Sequence, residues 1–93
     1  MEVTLSITIR IEGERSLIER IRNALLPDFI STILDDNVEI RGRKAVWKIN
    51  LAAETISRLR AITNSMLRAI SLALEIENIL EGMEKDLNNK LNK

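Results

Sequence analysis

The adjacent carboxylates Asp35 and Asp36, with Asn37 beside them, have the strongest claim in this chain to metal chemistry. Clustered oxygen ligands suit a hard cation such as Ca²⁺ or Mg²⁺. The spacing of a calcium loop is absent, however, and an Asp-Asp-Asn cluster ahead of a strand reads first as a turn. Ser65 carries a hydroxyl that would need an adjacent base to become a nucleophile. The chain has no His and no Cys. Ser-His and Cys-His dyads, His-based metal sites, thiolate zinc sites and disulfides are therefore excluded. Gly13, Gly42 and Gly82 stand alone and build no phosphate-cradling loop. The sequence reads as that of a protein that is not an enzyme on its own, with no catalytic, cofactor-binding or metal residues.

The bases are more informative. Lys+Arg and Asp+Glu are both 14, so the chain is formally neutral. Yet Arg41, Arg43, Lys44, Lys48, Arg58, Arg60 and Arg68 face a single acid, Glu54, over residues 41–68. Such a run is either a solvated face, with Arg available to carboxylates of another subunit, or a surface that contacts an RNA backbone and weakens with salt. It would position RNA without reading its sequence. Arg60, Asn64 and Arg68 recur every four residues, and Ser71 continues the stripe.

The elements that hold these residues follow from periodicity. A chain of 93 residues is one domain. At 45% hydrophobic and 30% charged it is globular rather than disordered. Its apolar runs are too short to span a membrane, and its start alternates polar and apolar residues unlike a signal peptide; a cytoplasmic location is expected. Ile and Leu dominate an almost aromatic-free apolar set, which suits an organism of hot environments. Val3, Leu5, Ile7, Ile9 and Ile11 alternate with polar residues, predicting a strand over 3–11 that Gly13 ends. Ser16 and Glu19 fit a capping box opening a first helix, which Pro27 should stop. Residues 28–37 read as a packed connection with a helical turn or short strand. Val38–Arg41 and Ala45–Leu51 flank Gly42-Arg43 as a hairpin. Ala45, Trp47, Ile49 and Leu51 share its apolar face, so Trp47 reads as core.

From about Ala53 the period is helical. Leu59, Ile62, Met66, Ala69, Ala73, Ile76, Leu80, Met83 and Leu87 step by threes and fours, a heptad seam flanked by Ile56, Thr63, Leu67, Ile70 and Leu74. Leu59 to Leu87 would span roughly 43 Å, against about 24 Å for a seven-residue strand. The helix must overhang its sheet. Gly82 marks a possible stop, giving a domain over 1–82 and a polar helical extension or tail over 83–93. The order βαββα predicts an α+β, two-layer domain: a three-stranded antiparallel sheet with two helices on one face, its open edge extended by dimerisation. The expected partner interface is Leu59, Ile62, Met66, Leu67, Ala69, Ile70, Ala73, Ile76 and Leu80. Met66→Asp should then abolish association while leaving secondary structure partly intact.

The segment from Ile56 to Ile70 resembles the second-helix signature of the small dimer-forming subunit of the KEOPS complex. The matching words are Leu59-Arg60-Ala61, Asn64-Ser65, Met66 and Leu67-Arg68. The likeness covers about residues 3–80. An aromatic often stands in the family where Met66 stands here, and a bulky residue where Ala69 does. The resemblance implies a non-catalytic subunit that forms a homodimer or pairs with a paralogue and docks helices on the catalytic subunit. It also implies help in holding tRNA during threonylcarbamoyladenosine modification. It leaves open the common small subunit or its archaeal paralogue. Arg41, Arg43, Lys44, Lys48, Arg60 and Arg68 are the candidate RNA contacts. The alternatives are a free-standing RNA-binding adaptor of KH-like order, though the KH G-x-x-G loop is missing, and a homodimeric scaffold unrelated to tRNA.

Overall fold

A computed structural model describes the backbone of residues 4–91 and the side chains of residues 4–84. The order is β1 (Leu5–Glu14), α1 (Arg15–Phe29), β2 (Ile33–Arg41), β3 (Lys44–Ala53) and α2 (Ile56–Leu91). The strands form one antiparallel sheet in the order β1-β3-β2, and both helices pack on one face of it. This is the α+β, βαββα architecture that the periodicities predict. Val3, the first residue of the predicted strand, lies outside the described residues, as do the last two of the predicted tail.

β3 is central, so its apolar row is covered on both sides and from above. Ala45, Trp47, Ile49 and Leu51 are completely buried. Ile18, Ile21 and Leu25 of α1 and Met66 and Ile70 of α2 close over them. On the opposite face, Val46 is also buried, between its cross-strand neighbours Glu12 and Glu39. A polar row crosses the same face: Thr8 Oγ1 donates to Asn50 Oδ1 (2.6 Å), and Asn50 Nδ2 donates to Asp35 Oδ1.

Four local expectations change. Gly13 does not end β1; it pairs with Ala45 in the ladder. An added Cβ there would meet Ile18 Cδ1 at 3.5 Å, an ordinary contact, so neither space nor backbone conformation demands glycine. The capping box is not made: Ser16 Oγ bonds to Glu14 Oε1 (3.0 Å), and the helix has no side-chain cap. Its leading N–H, that of Arg15, donates to the carbonyl of Arg43 in the hairpin (2.7 Å). A tertiary contact has taken the place of a local one. Pro27 lies inside α1, which continues to Phe29 because Phe29 packs against the core. In the last turn proline forfeits one hydrogen bond, which burial of the following ring offsets.

The fourth change concerns Asp35 and Asp36, which are not in a turn. β2 begins at Ile33, and an irregularity between Ile33 and Asp35 leaves Leu34 as the extra, exposed residue. The extra residue changes the parity of the strand. Asp35 falls on the open face opposite Asn50, while Asp36 falls on the helix side opposite Ile49.

Gly42 takes a positive φ of 62° in the hairpin, a conformation that needs glycine. α2 opens on Thr55, whose Oγ1 accepts from the Arg58 N–H (3.1 Å). It then runs 36 residues without interruption, through Gly82. That is about 54 Å of helix on strands of about 33 Å.

Candidate functional site

α2 carries the candidate surface, and its two ends sit in different surroundings. Met66 is completely buried and Ile70 nearly so; Leu59, Ala69 and Ala73 are half-buried against the same core, and Ile62 is half-buried. Ile76, Leu80 and Met83, further along the same seam, are exposed. The seam therefore divides where the sheet beneath it ends. Met66 and Ile70 face this chain's own sheet and leave no surface for a partner. Leu67, Ile76 and Leu80 remain available. Met66→Asp is accordingly expected to unfold the domain. The side chain of Leu87 lies outside those described.

A second row is exposed throughout. Arg58, Ala61, Ser65, Arg68, Leu72, Ile76, Ile79 and Met83 step by threes and fours along one side of α2. Leu72 is 56% exposed, and Ile79 and Met83 are each 63% exposed. Large apolar side chains on one contiguous line facing water mark an interaction surface. The row changes character along its length: small side chains and arginines first, large aliphatics later. Charge changes with it. Arg58, Arg60 and Arg68 are the only charges from Ile56 to Leu74, whereas Glu75, Glu77, Glu81 and Glu84 are the only ones from Glu75 to Glu84. Leu72 and Ile79 were not among the predicted interface residues. Their spacing with Ile76 and Met83 was the available signal, masked by the stronger seam beside it.

Of the signature residues, Leu59 lies against the core, while Arg60, Ala61, Asn64, Ser65, Leu67 and Arg68 are exposed. The basic run does not form one patch. Arg41, Arg43 and Lys44 sit at the hairpin, Lys48 on the open sheet face, and Arg58 and Arg60 beyond the far end of β3. Ten strand residues separate the two ends by about 33 Å. Arg41 is held by Glu39 (3.1 Å). Arg43 and Lys44 make no ion pair among the described residues and stand beside Gly42 in a depression shared with Arg15, Ser16 and the acids Glu14 and Glu19. No three His, Cys, Asp or Glu residues converge among those described.

One polar cluster joins α1 to the sheet. Arg22 Nε donates to Asp36 Oδ2 (2.6 Å), and Trp47 Nε1 donates to the same oxygen (2.9 Å). The hydrogen bond from Arg22 holds the Asp36 carboxyl below its ordinary value, against the opposing effect of burial; Trp47 adds to the lowering. The same bond raises the Arg22 guanidinium. The cluster satisfies the indole N–H of a fully buried tryptophan, an obligation that Trp47 on the apolar register already implied. Nearer the solvent, Arg20 of α1 reaches Glu77 of α2 (3.1 Å), and that hydrogen bond raises the Arg20 guanidinium.

A family model described as transcription factor Pcc1 matches residues 4–78. The chain belongs to the Pcc1 family. Pcc1 is a family of KEOPS subunits, so the helix signature and the family match agree on the complex. The match ends at residue 78, whereas α2 continues to Leu91. Among curated proteins none matches significantly. No described helix is long and apolar enough to cross a membrane.

Proposed function

We propose that this chain is a non-catalytic dimerisation and scaffold subunit of the KEOPS complex. In this reading it docks α2 against helices of the catalytic subunit and supports threonylcarbamoyladenosine modification of tRNA, in the cytoplasm of an archaeon. The observation that carries the reading is the exposed apolar row of α2 on a chain of the Pcc1 family. A helix with water along such a row gains by burying it in a partner. Dimerisation has a second support. β1 and β2 are both edge strands, each with one side of its backbone unpaired.

The contribution to tRNA binding is assigned to the hairpin. Arg43 and Lys44 make no ion pair there among the described residues, and phosphate contacts of this kind hold RNA without reading it. Lys48 adds to this surface from the open face. Arg60 and Arg68 stand on α2.

Gel filtration with light scattering, alone and with the catalytic KEOPS subunit of the same organism, tests the reading. Co-elution as a larger complex is expected, and elution apart from it would sink the proposal. A chain that enters the complex only when the common small subunit is added is the archaeal paralogue. tRNA binding by this chain alone at moderate salt, lost on charge reversal at Arg41, Arg43 and Lys44, would favour the free-standing RNA-binding adaptor.

A further inference from the structure

We infer that the start of β2 is a two-register switch, in which Ile33 and Leu34 alternate in the place opposite Leu51. The switch is independent of the KEOPS reading and depends on the extra residue in β2. Three observations converge on it.

The first is the pair of side chains. From Arg41 back to Asp35 the ladder with β3 is regular, with Asp36 opposite Ile49 and Asp35 opposite Asn50. Simple continuation would put Leu34 opposite Leu51, on the helix side. Ile33 holds that place instead and packs against the core, while Leu34 is 66% exposed. The two side chains are isomers, so exchanging them conserves volume. Each register buries one aliphatic and exposes the other.

The second is vacant backbone. β3 continues past Leu51, and Ala52 and Ala53 pair with Ser6 and Leu5 of β1. On the β2 side the ladder stops at Leu51. In the second register Ile33 lies opposite Ala52, so the ladder has room to take it. The third is the connection. Ile30, Ser31 and Thr32 separate α1 from β2, and the Thr32 N–H donates to the Phe29 carbonyl (2.9 Å). Ile30 is mostly exposed and does not anchor the segment. Thr32 and Ile33 are both β-branched and suit an extended strand. The slip gives up one local hydrogen bond and gains pairing at Ala52.

Asp36 lies on the regular side of the bulge, so its bonds to Arg22 and Trp47 persist in both registers. The core is therefore undisturbed by the change. A bulge bends an edge strand away from regular pairing, and β2 is an edge strand. The register thus sets whether that edge is kinked or straight.

The chain has no cysteine, so an introduced thiol is the only one present. Leu34→Cys in the full chain should react freely with a maleimide. Adding Ile33→Asp penalises the observed register, because a carboxylate is costly against the core. The strand should then slip and bury the introduced thiol, slowing its labelling roughly tenfold. Equal labelling in the two backgrounds overturns the inference. So does faster labelling through unfolding, seen as loss of helical circular dichroism, since a second register would have kept the fold. Stability gives a separate readout. Ile33→Asp and Leu34→Asp should each lower the melting temperature by only a few degrees, because the other aliphatic takes the place opposite Leu51. The two substitutions together should lower it by clearly more than their sum. Additive losses overturn the switch.

Discussion

The two halves of α2 have similar apolar spacing and opposite fates. From Ile56 to Ile70 the seam residue Met66 is completely buried; from Leu72 to Met83 every large aliphatic except Leu74, which packs against the core, is exposed. Periodicity specifies which residues share a side of a helix. What that side meets depends on where the neighbouring element ends, and here the strands end after about 33 Å while the helix runs on. Met66 and Ile70 in the first half are fold residues, whereas Leu72, Ile79 and Met83 in the second stand in water.

The widest separation between the halves comes from the same substitution made in each. Met66→Asp buries an unpaired charge in a completely closed site, and the expected outcome is loss of the cooperative melting transition. Ile79→Asp should leave the melt within a few degrees and remove only association. Equal melts for the two variants would erase the distinction.

A smaller effect is expected where α1 meets the sheet. Asp36→Asn keeps an acceptor for the Trp47 indole but removes the charge that Arg22 meets, a loss of about 1.5–3 kcal/mol. The pH dependence follows from the direction of the shift. The Asp36 carboxyl is held below its ordinary 3.8 in the folded chain. Its contribution is therefore complete above that value and disappears as pH falls through the lower, folded value. Chemical denaturation between about pH 5 and pH 2 should show wild type losing more stability than Asp36→Asn. Parallel curves would mean that the ion pair does not act in the fold.

Gly82→Ala should be gentler and of the opposite sign. An added methyl meets nothing within 4 Å, so helix propensity alone acts, by at most about 1 kcal/mol. Helical ellipticity should rise while the melting of the core stays nearly fixed. A large shift in the core melt would couple the two halves more tightly than their packing implies. Ile79→Ser should change stability least, within about 0.5 kcal/mol, because the side chain is exposed. A marked loss of stability at low protein concentration would contradict that exposure.

Much of the fold is legible because its signals are local. Alternation over Leu5–Ile11, the hairpin glycine and the long helical period each appear in a stretch of a few residues. The misreadings occur where a distant group overrides a local rule. Ser16 lost its capping role to the carbonyl of Arg43, Pro27 was carried through by the packing of Phe29, and Asp36 was drawn to Arg22 and Trp47. The apparent basic run from Arg41 to Arg68 failed in the same way, since β3 carries its two ends apart.

The amino-acid sequence alone determined the βαββα order, the apolar faces and the exclusion of His and Cys chemistry, all of which depend on residue type and short spacing. Only the tertiary structure decided that Met66 is core while Ile79 is surface, and that Asp36 faces the helices. Those outcomes turn on an extra residue in β2 and on the length of a sheet relative to a helix, and neither acts until separate segments are packed together.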